Sequence, residues 1–271
     1  MTAQRDQQPG GTGKVLPIDP ARAGTEAVRP APRLERAWDP EMVIYEMRRF
    51  RDFFAFVDEA VDNSLRDHGA STMEWIIERG RGRSSRTTVR IVENGIGMTV
   101  ERAVAFVSIG RSTSARRAGA FGRTGRGFRY SAYGGAGCTR IDVATISEEH
   151  PDAAYCFGIG VDAFITPPSE ANRGVSAEFQ DRAAAGFPFP TGTGTVFTLT
   201  GFEDASPIFE HPKKLRQVPP DEELRAYVGR RFPFLASRVT VSGKRCTPRK
   251  LDGEHFQRVI ETRAGPVEID V

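Results

Sequence analysis

The chain has 271 residues, of which 39% are apolar and 27% charged, the balance of a folded protein with one large domain, or with one domain and part of a second. Its 38 lysines and arginines against 35 aspartates and glutamates give a net charge of +3, too small by itself to imply a polyanionic partner. The charge is uneven, however, because residues 79–140 hold 13 arginines and only two glutamates. Such a positive block predicts a local surface that handles phosphate.

Composition also argues against membrane and disulfide-rich classes. No apolar run approaches the ~18 residues of a membrane-spanning helix, and the polar first ten residues lack the apolar core of a secretory signal. We therefore expect a cytoplasmic protein with no membrane partner. Cys138, Cys156 and Cys246 are widely spaced and are predicted to be ordinary buried thiols rather than a disulfide framework or a zinc site.

The N-terminal part divides into an arm and a helical region. Residues 1–38 contain five prolines and few aromatic residues, which predicts a flexible arm. Asp39 can cap a helix, and apolar residues then recur near helical spacing from Met42 to Leu65 before Gly69 ends the pattern. The length of this pattern predicts two helices or one long bent helix.

The middle of the chain alternates strand and helix patterns. A strand is predicted over residues 87–92, where β-branched residues alternate before an Asn-Gly turn. A helix is predicted between Thr99, which can cap it, and Gly110. Residues 110–127 combine five glycines with five arginines and lead into a short apolar helix over residues 128–133.

Three strand patterns follow this helix, over residues 140–146, 155–164 and 195–200. Helices come first and strands are then mostly consecutive, which favours an α+β fold over a doubly wound parallel sheet. The predicted architecture is a two-layer α/β sandwich with a mixed, mostly antiparallel sheet and helices on one face.

The C-terminal part changes character. A helix is predicted over residues 221–232, and strands over residues 238–241 and 267–271. Because the last pattern stops in mid-strand, we expect either a truncated chain or a second domain that is only begun here. The predicted organisation has three parts: the arm at 1–38, a main domain at 39–205, and a linker with the start of a second domain at 206–271.

Four motifs carry residues that could do chemistry. Glu59 and Asn63 lie four residues apart in a predicted helix, so both side chains project from one face. A carboxylate and an amide placed in this way can serve as a general base and as a ligand of Mg²⁺, which takes few ligands from protein and fills the rest with phosphate and water. A solvated polar face of the helix is the alternative interpretation.

The second motif is Glu93, at the end of a predicted strand, followed by Gly95, Gly97 and Met98. Its carboxylate can accept a hydrogen bond from an exocyclic amine, and the glycines allow the backbone to approach a flat ring closely. A simple turn between strand and helix is the alternative.

The third motif, Gly122-Arg123-Thr124-Gly125-Arg126-Gly127-Phe128, precedes a helix. Backbone N–H groups at a helix N-terminus form an anion site, and interleaved arginines strengthen it for a polyphosphate. The motif is not the dinucleotide fingerprint, which directly follows a strand of a parallel sheet. The fourth motif contains Thr195, whose hydroxyl could bond to the carboxylate or to a base, although a plain strand start explains it equally well.

In this order, the four motifs resemble those of the GHKL, or Bergerat-fold, ATPases, the superfamily of DNA gyrase B, MutL and MORC proteins, sensor histidine kinases and the large heat-shock chaperone. Glu59 to Ser64 resembles the Glu-x-x-x-Asn box and Glu93 to Met98 the Asp-x-Gly-x-Gly box. Gly122 to Phe128 resembles the glycine box, and Gly194-Thr195 the last box. The flanks, residues 108–113 and 128–133, resemble the chaperone and MORC branch. The resemblance covers about residues 40–202 and implies a two-layer sandwich that holds ATP between helices and a lid.

The resemblance also implies a role for each matching residue. Glu59 would orient and activate water, Asn63 would bind Mg²⁺, and Glu93 would accept a hydrogen bond from the adenine amine. The residues expected around the adenine ring are Gly95, Gly97, Met98 and Thr195. The residues expected to cradle the phosphates of ATP are Gly122, Gly125, Arg126, Gly127 and Phe128.

Two residues depart from the family pattern. The adenine carboxylate is normally Asp, whereas Glu93 is one methylene longer, so that the ring would sit differently or bind less tightly. The first box normally continues Asn-x-x-Asp, but Arg66 stands there with Asp67 next, and a one-residue offset turns a helical side chain by about 100°. The pattern therefore favours nucleotide binding over rapid turnover.

Three functional hypotheses follow. The first is an ATP-driven conformational switch, in which ATP orders the lid, the domain forms a homodimer and hydrolysis releases it, with a protein or DNA client. The second is a non-hydrolysing nucleotide sensor that acts as an interaction module. The third, independent of the resemblance, is nucleic-acid binding by the arginine-rich block.

Overall fold

Helices cover one face of an open, mostly antiparallel sheet in the computed structural model of the chain. The residues that the structure describes are 34–35, 45, 47–50, 52–80, 86–108, 127–165, 174–189, 191–203, 218–249, 257–262 and 265–270. These residues belong to one compact unit, Ala31–Val271.

The helical segments are α1 (Phe53–Val61), α2 (Val100–Val107), α3 (Gly127–Ser131), α4 (Val161–Ile165) and α5 (Asp221–Arg231). Residues 45 and 47–49 are also helical. Two π-helical turns, Asp62–Asp67 and Ala132–Ala136, continue directly from α1 and α3, and a 3₁₀ turn at Ala236–Arg238 follows α5. Asp52 caps α1, because its side chain accepts a hydrogen bond from the Ala55 N–H at 2.9 Å.

The strands up to the middle of the chain are β1 (Leu34–Glu35), β2 (Met73–Glu78), β3 (Thr88–Glu93), β4 (Arg140–Ile146), β5 (Ala153–Gly160) and β6 (Gly174–Val175). The later strands are β7 (Ala177–Asp181), β8 (Gly194–Thr200), β9 (Val239–Val241), β10 (Lys244–Arg245), β11 (Gln257–Thr262) and β12 (Gly265–Asp270).

Eight of these strands form the main sheet, in the order β10-β9-β2-β3-β8-β4-β5-β7. Its neighbours are antiparallel except β2 and β9, which are parallel. The register pairs Glu93 on β3 with Thr195 on β8, and Thr195 with Thr145 on β4. Three polar side chains from three adjacent strands therefore lie in one row across the sheet.

The main core lies between the sheet and the helices. Alternate residues of β3, β4, β5 and β8 face it, together with buried residues of α1, α2, α3 and α5. Trp75 on β2 packs against Phe53 and Phe56 of α1, with ring centroids 6.1 and 5.6 Å apart. A smaller apolar cluster on the other face includes Val92, Val196 and Phe187. The predicted two-layer α+β sandwich, with a mixed, mostly antiparallel sheet, is confirmed.

The predicted strands and helices are found with small shifts at their ends, with two exceptions. Residues 155–164 were expected to form one strand, but the strand ends at Gly160 and α4 follows. Strands β1, β2, β6, β7, β10 and β11 were not expected. Strand β7 lies at the sheet edge with mostly exposed residues, so it lacks an alternating apolar signal, and the short apolar run of β2 does not distinguish strand from helix.

The predicted boundary at residue 206 is wrong for the segment that α5 and β9 define. Leu224 and Val228 of α5 are buried in the main core, and β9 pairs with β2 within the main sheet. This segment therefore completes the first domain instead of beginning a second one. At the other end, Leu34 and Glu35, expected within a flexible arm, pair with β6.

In the described part of the chain, no helix is both long enough and apolar enough to cross a membrane. The expected character of the cysteines is confirmed in part. All three are free thiols, and Cys138 and Cys246 are buried, whereas Cys156 is only partly buried.

Candidate functional site

Glu93 is a carboxylate buried at the end of β3. Its side chain is 0% exposed, and neither carboxylate oxygen has a hydrogen-bond partner among the described residues. The His68 ring lies nearby, with Nδ1 3.6 Å from Oε2 of Glu93. Leaving a buried carboxylate without hydrogen bonds costs free energy, and native proteins contain few such groups. Glu93 is therefore an acceptor that an incoming N–H donor would satisfy.

Two threonines complete the row beside Glu93. The Thr145 hydroxyl accepts a hydrogen bond from the Met98 N–H at 2.7 Å and lies 3.2 Å from the hydroxyl of Thr195. Both threonines are buried. The Thr195 hydroxyl thus contacts Thr145 and not the carboxylate of Glu93, to which it was expected to be able to bond. Sequence reasoning missed Thr145 because it lies inside an ordinary strand pattern with no motif around it.

The loop after Glu93 is held at each of its residues. Thr193 donates to the Gly95 carbonyl at 2.7 Å, and the Ile96 N–H donates to the His68 carbonyl at 3.2 Å. Arg102 donates to the Gly97 carbonyl at 3.2 Å. This bonding keeps the loop in one conformation beside the buried carboxylate.

At position 97, any residue other than glycine would require the surrounding structure to rearrange. The φ of Gly97, +66°, lies in the left-handed region, and a Cβ there would overlap the carbonyl oxygen of Ile146. Gly95 is also close-packed, since a Cβ would lie 2.8 Å from the His68 carbonyl oxygen and 3.2 Å from Oε2 of Glu93. The two glycines let the backbone run directly against β4 and the carboxylate.

Asn94 locks the neighbouring loop to the same end of β3. Its side-chain oxygen accepts hydrogen bonds from the N–H groups of Ser71 and Thr72, both at 2.9 Å, and its amide nitrogen donates to the Ser71 hydroxyl at 2.8 Å. The loop that carries His68 is thereby fixed beside Glu93. His68 was expected only to interact with a helix end, so its position against Glu93 is a second feature that the sequence did not predict.

Glu59 lies near the end of α1, whose apolar side is buried in the core. Its side chain is partly buried. Burial, followed by repulsion from nearby aspartates, chiefly Asp62 and Asp58, raises the pKa of Glu59 above its ordinary value. A carboxylate with a raised pKa is a stronger base once ionised, as proton abstraction from water requires.

The backbone at the start of α3 lies directly against this carboxylate. A Cβ on Gly127 would overlap the Oε2 atom of Glu59. The next residue, Phe128, packs between Phe56 of α1 and Phe197 of β8, with ring centroids 5.2 and 4.5 Å apart. The aromatic contacts thus hold Gly127 beside Glu59. The structure brings together two of the predicted phosphate-binding residues and the predicted base.

Asn63 lies in the π-helical turn Asp62–Asp67 that continues α1. Its carbonyl oxygen accepts a hydrogen bond from the His68 N–H at 2.8 Å, the i to i+5 pattern of a π-helix. His68 therefore contacts Asn63 through its backbone N–H and lies against Glu93 with its ring. Arg66, where the family pattern has Asp, forms an ion pair with Asp62 at 3.0 Å, and its guanidinium lies 5.9 Å from the centre of the Phe232 ring.

Gly122, Gly125 and Arg126 lie outside the described residues, so the structure does not test these predictions. Among the described residues, no group of three or more His, Cys, Asp and Glu side chains could hold a metal ion.

No protein-family model matches the chain, and no curated protein matches its sequence. The chemistry of the site is therefore inferred from its residues. Glu93, Thr145, Thr195 and Met98 form one cluster, and Glu59, Gly127 and Phe128 form another.

Proposed function

We propose that the chain binds ATP and hydrolyses it, acting as an ATP-driven conformational switch. The observation that carries the proposal is Glu93, whose fully buried carboxylate has no hydrogen bond among the described residues. An exocyclic amine is a neutral donor that satisfies such an acceptor without needing a second buried charge.

Base recognition would occur at the end of β3. The adenine amine donates to Glu93, and the ring lies against the backbone of Gly97 and Met98. Thr145 fixes this backbone through its hydrogen bond to Met98. Because the loop is already ordered by hydrogen bonds, little conformational entropy is lost when the base binds.

Hydrolysis would occur at the other end. Glu59 accepts a proton from the attacking water, and the backbone N–H groups at the start of α3 donate to phosphate oxygens. The absence of a side chain on Gly127 lets the Glu59 carboxylate lie directly against the backbone at the start of α3, where the phosphate would bind. Most of the rate enhancement then comes from positioning and from neutralisation of charge.

The residues fit the Mg²⁺ that ATP requires. Mg²⁺ prefers oxygen ligands and takes few of them from protein, so that one amide oxygen, that of Asn63, suffices beside phosphate and water. When bound, Mg²⁺ would neutralise charge on the phosphates. Asn63 would hold the ion, and Glu59 lies four residues earlier in the chain.

Nucleic-acid binding by the arginine-rich block is a weaker candidate. Five described arginines of the block bond to groups within the chain: Arg79, Arg90, Arg102, Arg129 and Arg140. An arginine that already donates to a carbonyl or a carboxylate contributes less to phosphate binding. The choice between a hydrolysing switch and a non-hydrolysing sensor depends on turnover.

Calorimetric titration of the chain with ATP at sub-millimolar concentration, with and without Mg²⁺, tests the proposal. We expect binding that Mg²⁺ strengthens. Asn63→Ala should lose the Mg²⁺ effect, and Asn63→Asp, which keeps an oxygen ligand, should retain it. The absence of both heat and thermal stabilisation in either condition would reject nucleotide binding. Binding without turnover would leave the sensor, and sedimentation with and without ATP tests the expected homodimer.

A further inference from the structure

Helix α5 is joined to α1 through Asp58, the residue directly before Glu59. The Tyr227 hydroxyl donates to Oδ1 of Asp58 at 2.8 Å, and Arg231 Nε donates to Oδ2 at 3.2 Å. Both carboxylate oxygens are thus held by one helix. One turn earlier in α1, the ring of Phe54 stacks on that of Tyr227, with centroids 4.3 Å apart and 27° between the ring planes.

Helix α5 is itself anchored to the rest of the fold. Leu224 and Val228 are completely buried in the main core, and Phe232, directly after the helix, is buried beside them. At the other end of the helix, Asp221 pairs with Arg79 at 3.0 Å. The Asp58 contacts therefore connect α1 to an element that the core fixes along its length.

The contacts of α1 with α5 and α3 occur at adjacent residues. Asp58 meets Tyr227 and Arg231, while Glu59 meets the backbone of Gly127. The core holds the buried apolar side of this helix, and the contacts of Asp58 hold its partly exposed side. A small rotation of α1 would move Glu59 away from the start of α3.

We propose that Asp58, Tyr227 and Arg231 form a positioning cluster that aims the Glu59 carboxylate at the phosphate end of the site, which makes α5 a part of the hydrolytic unit. This inference rests on the proposed function. A misplacement of about 1 Å in a catalytic group can cost on the order of 10² in rate, so the cluster affects turnover more than ATP binding.

The charges around Glu59 give the cluster a signature that simple structural support lacks. After burial, the pKa of Glu59 is raised by Asp62, Asp58 and Asp67, in that order. Arg66 faces Asp62, Tyr227 and Arg231 face Asp58, and α3 contributes backbone at Gly127. The Asp58→Asn variant removes one negative neighbour, so the pKa of Glu59 should fall. Because the base must be ionised, the acid limb of the rate profile should move to lower pH.

The Tyr227→Phe variant tests the positioning of Glu59 without changing the charge around it. Burial and Asp58 raise the pKa of Tyr227, so this side chain is neutral over the working range of pH and its replacement removes no charge. The variant keeps the ring that stacks on Phe54 and loses only the hydrogen bond to Asp58. Its acid limb should therefore stay in place while its rate falls.

Single-turnover hydrolysis by the full chain, with protein in excess over ATP and pH varied from about 5 to 9, tests the inference. We expect Tyr227→Phe and Arg231→Gln to slow the plateau rate on the order of ten-fold, with ATP affinity within about two-fold. Arg231→Lys should recover part of the loss. The control is Arg230→Gln, an exposed neighbour on the same turn, which should behave as the parent.

A second measurement does not depend on turnover. In protein labelled with ¹³C in its glutamate carboxyl groups, the Glu59 signal, assigned by its loss in Glu59→Gln, should titrate at lower pH in Asp58→Asn. Unchanged rates in Tyr227→Phe and Arg231→Gln, or an unchanged Glu59 titration in Asp58→Asn, would overturn the inference while ATP binding still supported the proposed function. Equal losses of ATP affinity, thermal stability and rate in the variants would show that the cluster only supports the fold, and would also overturn the inference. A parent chain that binds no ATP rejects the proposed function itself, and the inference falls with it.

Discussion

The two ends of the proposed site are built from different kinds of contact. Around Glu93, the contacts come from hydrogen bonds of neighbouring strands and of one short loop, as with Thr145 and Met98. Around Glu59, they come from the packing of α1 against α3 and α5. Strand register and hydrogen bonds fix the first end, whereas packing of side chains between helices determines the second. The base end should therefore bind nucleotide even where the hydrolytic end is disturbed.

The largest expected effect is that of a variant at the hydrolytic end, which should impair hydrolysis without impairing ATP binding. Glu59→Gln should reduce hydrolysis by about 10²- to 10⁴-fold because the water loses its base, while ATP affinity stays within a few-fold. In the parent, the rate should fall as pH decreases through the raised pKa of Glu59, so the acid limb should lie above the ordinary range of a glutamate. Single-turnover measurements over pH check both points.

Glu149→Gln is the control for this variant, because Glu149 is exposed in the turn after β4 and far from α1 in sequence. It should hydrolyse ATP as the parent does. Turnover that survives in Glu59→Gln, or simultaneous loss of binding and turnover, would contradict the assigned role.

A pair of glycines tests how rigidly the base end is built. Gly97 and Gly69 have nearly the same φ, +66° and +64°, but a Cβ would overlap the Ile146 carbonyl oxygen at Gly97 and meet nothing within 4 Å at Gly69. Each alanine variant incurs the left-handed backbone cost of about 1–2 kcal/mol. Gly97→Ala adds about 1–3 kcal/mol of overpacking. Urea unfolding should show the larger loss at Gly97, and equal losses would mean that the loop can move away from β4 freely.

Glu93→Ala should weaken ATP binding by about 1–3 kcal/mol, or about 5- to 150-fold, because the adenine amine is left unpaired. Glu93→Asp, which restores the residue usual in the family pattern, should bind ATP as tightly as the parent or more tightly. Calorimetry with ATP and GTP measures both variants. Equal affinity for the two nucleotides in the parent, unaffected by Glu93→Ala, would show that this carboxylate does not recognise the base.

What could be predicted from the sequence depends on whether a feature is encoded by residues that lie close together in the chain. The places of Glu93 at a strand end, of Gly97 in the following loop and of Thr195 near a strand start were predicted because strand ends and Asn-Gly turns are local signals that a few residues encode. The sandwich followed from the order of helix and strand patterns. The residue positions and the order of the elements are both encoded by residues close together in sequence.

The features that sequence reasoning missed depend on contacts between distant segments. Thr145 joins the row only through the pairing of β4 with β8, and His68 reaches Glu93 only because Asn94 fixes its loop. The boundary at residue 206 was placed at a change of composition, but composition does not reveal that β9 adds to the main sheet beside β2. Such pairings have no local pattern.

The smallest expected effect concerns Arg66, which stands at the position where the GHKL motif has an acidic residue. It pairs with Asp62 at 3.0 Å, and the side chains of Arg66 and Asp62 are 39% and 28% exposed. Exposed pairs of this kind contribute about 0.5 kcal/mol, so Arg66→Ala should lower the free energy of unfolding by roughly that amount. Burial and nearby aspartates raise the pKa of Glu59, and Arg66→Ala leaves them in place, so the plateau rate and the acid limb should stay close to those of the parent. A ten-fold loss of rate in Arg66→Ala would mean that the hydrolytic end depends on the π-helical turn as strongly as on α5, and the comparison between the two ends would then have to include that turn.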